Sequence, residues 1–214
     1  RRGRSPAAPL NLVQSLGLAY FVGLTSTQGI VTHGAAAAIR AHGANGAGVR
    51  VGVLADSAEY LPELIASGDL PPDTQIVVDI IEGPGLSEGT AMMEIIHDMA
   101  PGARLFFASA FNSQDNFADN IRLLRNKYHC DVIVDDVKYS GEGVFQDTTI
   151  ARAVNDVTQS GAVYFSATGN DGSTTSGTSS VWEGDFRPGP ALGSFYILHS
   201  FGPRVLNRLP VATD

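Results

Sequence analysis

Two hydrophobic spacings alternate along the chain from residue 49 onward. Short apolar runs rich in β-branched residues predict strands at 49–54, 75–80, 104–108, 131–134 and 162–166. Apolar residues three or four positions apart predict helices at 59–67, 88–99, 114–127 and 147–158. The strands are apolar at nearly every position, which is typical of parallel strands buried on both faces. The pattern therefore predicts an α/β fold, a doubly wound and mostly parallel sheet with helices on both faces.

The two ends of the chain differ from this alternating core. Residues 1–44 begin with Arg1-Arg2-Gly3-Arg4 and continue with a broken apolar stretch, which predicts a helical extension or the remnant of a pro-segment rather than a signal peptide. Residues 45–180 are the predicted core, which is incomplete. Residues 181–214 hold short β-like runs with glycine and proline, and they predict a β-rich or irregular appendage or insertion.

Composition narrows the class of protein. The 214 residues are 43% hydrophobic and 17% charged, as expected of a globular chain with a real core. A net charge of −8 has the wrong sign for a dedicated nucleic-acid binder. The apolar runs are far shorter than the roughly 20 residues that a bilayer requires, so we expect no membrane partner. The single cysteine, Cys130, excludes an internal disulfide and disfavours a cysteine-based zinc site.

A glycine-rich segment at 83–89 raises the alternative of nucleotide binding. It follows a predicted strand and opens a helix, as a phosphate-binding loop does. However, Pro84 has no N–H group, and Glu88 would place a carboxylate where a phosphate should lie. The segment therefore disfavours a nucleotide site, and a flavodoxin-like binder of small molecules remains only as a third alternative.

Acidic residues follow two of the predicted strands, and another opens a helix. Ligand sites of open parallel sheets form at the carboxyl ends of the strands. Asp56 lies just after the first strand and by itself is an ordinary helix-start residue, whereas Glu88 by itself would stabilise a helix dipole. The helix at 88–99 is apolar around most of its circumference, which places it centrally. Two carboxylates that converge there would raise the proton affinity of one of them, which is a general-base arrangement.

Three segments, in the same order, resemble the subtilisin-like serine peptidases. Val51–Ser57 resembles the strand that carries the catalytic aspartate, here Asp56. Glu88-Gly89-Thr90, with the exit at Ala100–Ala103, is similar to the His-Gly-Thr helix of that family, with glutamate in the histidine position. Ser166–Gly172 resembles the segment that carries the oxyanion-hole asparagine, here Asn170. The resemblance extends over residues 45–172.

Glutamate in the histidine position is the pattern of the sedolisins, relatives of subtilisin that use Ser, Glu and Asp. Their aspartate lies four residues after the glutamate, where this chain has Met92, and their oxyanion residue is an aspartate. The resemblance implies that Glu88 is the general base, that Asp56 orients it and that Asn170 donates to the oxyanion.

One more pair of acids falls near a site of the family. Asp135 and Asp136 lie where subtilisins place the substrate-pairing strand, so the resemblance implies that one or both contact substrate. By themselves they form an ordinary turn pair after a strand, and that interpretation is equally open.

The nucleophile is not evident in this sequence. The family's serine lies in a Gly-Thr-Ser segment that opens a long buried helix. Gly177-Thr178-Ser179 has the same letters, but it closely follows Asn170 and no helical pattern comes after it. We therefore expect the serine downstream of residue 214, on a later or separately cleaved piece of the same precursor.

The implied function is that of a serine endopeptidase acting on peptide or protein substrates, with the 214 residues alone inactive. The alternative is a non-catalytic subtilisin-like module that binds peptides or protein partners. The aspartates at 69, 73 and 79 do not match a calcium loop, so we expect no cofactor, although the resemblance allows for calcium. A cysteine-poor acidic chain fits the cytosol or a bacterial secreted protein, and the resemblance favours a secreted or cell-envelope location in a bacterium.

Overall fold

The fold is that of a computed structural model, which describes residues 25–81, 86–139, 141–142, 146–170, 173, 175, 185–194 and 196–200. Within these residues the chain forms six helices and seven strands. The helices are α1 (Gly29–Thr32), α2 (Ala35–His42), α3 (Leu61–Ser67), α4 (Glu88–Met99), α5 (Gln114–Asn126) and α6 (Thr149–Gln159). The strands are β1 (Arg50–Ala55), β2 (Gln75–Val78), β3 (Arg104–Ser109), β4 (Val132–Asp135), β5 (Val163–Ser166), β6 (Pro188–Leu192) and β7 (Tyr196–His199).

The first five strands form one parallel sheet in the order β2-β3-β1-β4-β5. The remaining two strands form a small antiparallel hairpin. The α/β prediction is therefore confirmed, and each core helix and strand predicted from the hydrophobic spacing is present at nearly its predicted bounds. The hairpin lies in the segment predicted to be β-rich. The division into units at 44/45 and 180/181 stays a prediction.

Strand β1 lies at the centre of the sheet, and its side chains pack into two separate hydrophobic cores, one on each face. Val53 is fully buried on the side of α3 and α4, and Leu54 is fully buried on the side of α5 and α6. Gly52 lets α5 approach the sheet closely, because a Cβ atom there would come 2.9 Å from a methyl group of Leu124. A nearly continuous apolar strand is thus explained by burial on both faces.

The crossover through α4 differs in hand from the other three. Helices α3 and α4 share one face of the sheet, and α5 and α6 share the other. The connection β1–α3–β2 runs towards one edge, whereas β2–α4–β3 turns back over the same face. The connections β3–α5–β4 and β4–α6–β5 run in the same direction as β2–α4–β3 but over the opposite face. They therefore have the same hand as β1–α3–β2. Because parallel crossovers are right-handed in about 98% of cases, the α4 crossover is the rare left-handed one.

Strand β5 departs from the expectation that all strands are buried on both faces. Val163 and Phe165 are 52% and 58% exposed. Their neighbours Val132 and Val134 on β4 place them on the α3 and α4 face. In the part of the chain that the structure describes, α4 packs against β1 and β3, and no element covers β5 on this face. The prediction of two-sided burial is therefore wrong for this strand.

The described part of the amino-terminal segment is attached to the core by carboxylates. The backbone N–H of Thr25 donates to Asp69 at 3.0 Å, and that of Thr27 donates to Asp98 on α4 at 2.5 Å. Helices α1 and α2 follow directly. Among the described helices, none combines the length and the hydropathy needed to cross a membrane.

Candidate active site

Asp56 lies directly after β1 and is 4% exposed. Its Oδ1 accepts the N–H of Ser57 at 2.5 Å and the N–H of Gly89, in the first turn of α4, at 3.3 Å. Its main-chain carbonyl accepts the hydroxyl of Ser109, at the end of β3, at 2.6 Å. The side chain and the main chain of Asp56 are therefore both held by hydrogen bonds, and this residue connects β1, β3 and the start of α4.

Glu88 is the first residue of α4, and the glycine after it lets the helix begin against the sheet. The N–H of Gly89 also donates to the carbonyl of Ser57 at 3.1 Å. A Cβ atom at position 89 would lie 2.3 Å from the Phe107 ring and 2.6 Å from that carbonyl. Such distances are not sterically allowed, so the Glu-Gly-Thr sequence has a physical basis in this contact.

The Glu88 carboxyl lies among other acids. Partial burial raises its pKa, and the negative charges of Asp136 and Asp56 raise it further. A hydrogen bond with the side chain of Asp136 acts in the same direction. Glu88 itself remains open to solvent. Its carboxyl therefore retains a proton at higher pH than an ordinary glutamate while staying within reach of a ligand.

Asp135 and Asp136 are adjacent in sequence but lie in different surroundings. Asp136 donates its N–H to the carbonyl of Leu54 at 3.2 Å, which places it beside the end of β1. Asp135 pairs with Leu54 and Ser166 across the sheet and is 3% exposed on the α5 and α6 face. Its carboxyl accepts the Ser166 hydroxyl at 2.9 Å. The structure thus brings Asp136 to Glu88 and holds Asp135 apart from it.

Burial raises the pKa of Asp135, against the hydrogen bonds that it accepts from the hydroxyl of Ser166 and the N–H of Val137. Burial and the charge of Asp135 in turn raise the pKa of Tyr164. These contacts give Asp135 a role in joining β4 to β5. A substrate contact by either Asp135 or Asp136 stays a prediction.

Asn170 lies on the same edge of the sheet as the acids but farther along it. It follows the end of β5, and β4 lies between β5 and β1. Its side chain is exposed. The structure therefore leaves this amide accessible at the carboxyl edge, and its oxyanion role stays a prediction.

Ser57 and Asp79 form a hydrogen-bonded pair next to Asp56 that the sequence analysis does not predict. The hydroxyl of Ser57 donates to Asp79 Oδ1 at 2.9 Å, and the N–H of Ile80 donates to the same atom at 2.8 Å. The sequence points to Asp79 only as one of three aspartates that do not match a calcium loop. Its position just after β2, at the same edge as Asp56, was the signal that could have identified it.

Three serine hydroxyls at this edge donate to partners other than Glu88. Ser57 donates to Asp79, Ser109 to the carbonyl of Asp56, and Ser166 to Asp135. None of these three donates to Glu88. The segment 177–179 lies outside the described residues. Over the same described ranges, no group of three or more His, Cys, Asp or Glu side chains is arranged to hold a metal ion, and the expectation of no cofactor stays a prediction.

Comparison with known proteins gives structural matches only. No family model and no curated protein matches this chain. Among solved structures, it is similar to the self-cleaved protease domain of PatA, with a TM-score of 0.41 and 20% identity over 60% of this chain and 52% of that one. It is also similar to the prenylagaramide maturation protease PagA, with a TM-score of 0.36 and 19% identity over 57% of this chain and 46% of that one. The chain spans about half the length of each.

Proposed function

We propose that these residues are the amino-terminal part of a subtilisin/sedolisin-like serine endopeptidase domain, which hydrolyses peptide or protein substrates. The proposal rests above all on one observation: the Glu88 carboxyl lies beside Asp56 and Asp136 at the carboxyl edge of the sheet. Ligands of open parallel sheets bind at this edge. A carboxyl with a raised pKa in an accessible position is suited to general acid–base work.

In the proposed reaction, Glu88 moves the protons. The ionised carboxylate takes the proton from a serine hydroxyl supplied by a downstream segment, while the serine oxygen bonds to the scissile carbonyl carbon. The carbonyl electron pair moves to the oxygen, which accepts a hydrogen bond from the Asn170 amide. Protonated Glu88 then donates to the leaving amine as the C–N bond breaks. A water molecule then attacks the acyl carbon while Glu88 takes its proton. Glu88 returns this proton to the serine oxygen as the acyl–serine bond breaks and the carboxylic acid product is released.

The neighbouring acids adjust the basicity of Glu88. A free glutamate has a pKa of about 4.3, whereas that of histidine is about 6.5, so an ordinary carboxylate is a weak base at neutral pH. Asp56 and Asp136 raise the pKa of Glu88 and narrow this gap. Because the base is still a carboxylate, the activity is expected to extend to more acidic pH than that of an enzyme with histidine.

One observation favours a second function, a non-catalytic module that binds peptides or protein partners. Three serine hydroxyls at this edge, those of Ser57, Ser166 and Ser109, donate to Asp79, Asp135 and a main-chain carbonyl rather than to Glu88. A Gly-Thr-Ser-x-x-x-Pro segment downstream in the uncut reading frame would favour the enzyme, and its absence would favour the binding module.

The experiment is to label the full-length protein with a serine-directed fluorophosphonate and to follow peptide hydrolysis against pH. We expect labelling, with a pH optimum below neutral. Glu88→Gln should lower kcat by on the order of 100-fold or more, because general-base catalysis typically contributes 10²–10⁴-fold. Asp119→Asn is the matched control, because that carboxylate is 77% exposed and lies on α5.

A full-length protein that takes up no fluorophosphonate would reject the endopeptidase. A protein that is most active above neutral pH and whose Glu88→Gln variant retains full activity would reject the role of Glu88 as the general base.

A further inference from the structure

Three asparagines spaced four residues apart, one just before α5 and two within it, form a line of hydrogen-bonded side-chain amides. Asn116 Oδ1 accepts the amide of Asn120 at 3.0 Å and that of Asn112 at 3.4 Å. We call these three residues the amide ladder. Asparagine is a poorer helix former than leucine or lysine, so the helix itself gains nothing from them. Two of them form side-chain hydrogen bonds to segments outside the helix, which explains their presence.

One end of the ladder supports Asp56. The side-chain amide of Asn120, which is 3% exposed, donates to the carbonyl of Ser109 at 2.8 Å. The hydroxyl of Ser109 in turn donates to the carbonyl of Asp56 at 2.6 Å. A buried amide must be satisfied by partners of fixed geometry, so Asn120 fixes the end of β3 on which the main chain of Asp56 rests.

The other end holds the residues that follow β2. The amide of Asn112 donates to the carbonyl of Asp79 at 3.1 Å, and its oxygen accepts the N–H of Ile81 at 2.7 Å. Asp79 also accepts the hydroxyl of Ser57, next to Asp56. The two ends of the ladder therefore support Asp56 and its neighbour Ser57 from two sides.

We propose that Asn116, the central member of the ladder, is a positioning residue that holds Asp56 in place beside Glu88. It touches neither acid. Its oxygen joins the amide that supports the Asp56 main chain, through Ser109, to the amide that holds Asp79, the acceptor of the Ser57 hydroxyl. The inference rests on the proposed function, because the position of Asp56 matters for catalysis only if the two acids act together on a substrate.

The test compares Asn116→Leu with Asn116→Asp in the full-length protein. Leucine has the same branching and the same number of side-chain heavy atoms but offers no acceptor, whereas aspartate keeps an oxygen for both amides. We expect Asn116→Leu to lower kcat on the order of 10- to 100-fold with little change in KM, since small displacements of catalytic groups have effects of this size. Asn116→Asp should restore most of the rate.

A second readout does not depend on catalysis. The Glu88 carboxyl is followed by ¹³C NMR during a pH titration, and we expect its raised pKa to fall towards the ordinary value in Asn116→Leu as the acids separate. Asn112→Ala, in a half-exposed position before α5, should shift the titration in the same direction and serves if Asn116→Leu fails to fold.

The outcomes separate the two proposals. An unchanged Glu88 titration in both variants overturns the positioning role, whatever the activity. A shifted titration in a protein without peptidase activity supports the positioning role and rejects the proposed function. Equal loss of rate in Asn116→Leu and Asn116→Asp would also overturn it.

Discussion

The two faces of the sheet are built differently. On the closed face, α5 and α6 cover the strands with side chains that are almost fully buried, among them Phe117 and Leu124. The two helices are also joined at the surface by an ion pair of Arg122 with Asp156 at 2.7 Å. On the open face, α3 and α4 cover the central strands, while Phe165 on β5 is 58% exposed.

The candidate general base lies on the open face, whereas the side chains that support the site come from the closed face. Glu88 begins a helix of the open face and is accessible to solvent. The amide ladder at the start of α5 donates to the carbonyls of Asp79 and Ser109 and so supports Asp56 from the opposite side. Reacting groups that are accessible but held by a rigid layer are what a preorganised site requires.

The largest expected effect separates the two faces directly. Leu124→Ala on the closed face should lower the free energy of unfolding by about 2–5 kcal/mol, because it opens a cavity in a fully buried cluster. Phe165→Ala on the open face should cost under about 1 kcal/mol, since little apolar surface is lost from a half-exposed position. Urea denaturation followed by circular dichroism measures both. Similar costs would mean that β5 is covered in solution and would remove the contrast.

The next effect concerns the contact between α4 and the sheet. Gly89→Ala should destabilise the protein by about 1–3 kcal/mol, because the added methyl group overlaps the Phe107 ring and a main-chain carbonyl. The same measurement on Gly141→Ala is the control, since its nearest neighbour is the flexible end of Gln114 at 3.3 Å. A Gly89→Ala protein as stable as the control would show that the helix start is not tightly seated.

The smallest effect is a pH dependence of opposite sign on the two faces. Partial burial raises the pKa of Glu142, but hydrogen bonds from Thr148, the N–H of Ile150 and Gln114 outweigh it, so the net pKa is lowered. Its contribution to stability is therefore present above the ordinary glutamate pKa and is lost as pH falls through the lower folded value. The pKa of Glu88 is raised, so its contribution is present at low pH and is lost as pH rises through the folded value.

Thermal unfolding between about pH 3 and 7 measures this difference. Glu142→Gln should flatten the loss of stability on the acid side, by about 1 kcal/mol for a group that caps the start of α6. Glu88→Gln should flatten the loss towards neutral pH instead. Two curves that change in the same direction would contradict the assignment of these pKa shifts.

Hydrophobic spacing was sufficient to predict the sheet because burial on two faces leaves a strong pattern. The helix that begins at Glu88 was placed at its observed bounds for the same reason. The exposure of Phe165 could not be read in this way, because an apolar strand has the same pattern whether or not a layer covers it.

The candidate site was predictable only in part. Asp56 follows from the end of a strand and Glu88 from the start of a helix, but Asp135 and Asp136 are equivalent in sequence. Successive strand residues point to opposite faces, so a shift of one residue decides which acid reaches Glu88. The amide ladder had a visible signal in the spacing of its asparagines, but its partners come from two other segments brought near by the strand order.

The strand order also has a consequence for how the site assembles. Among the described strands, β2 borders only β3, and β3 lies between β2 and β1. The chain must therefore leave a place one strand wide when it passes from β1 to β2, and β3 then fills that place. During synthesis, residues 75–78 have no described strand to pair with until residue 109 has emerged from the ribosome. The arrival of β3 also supplies the Ser109 hydroxyl on which the carbonyl of Asp56 rests.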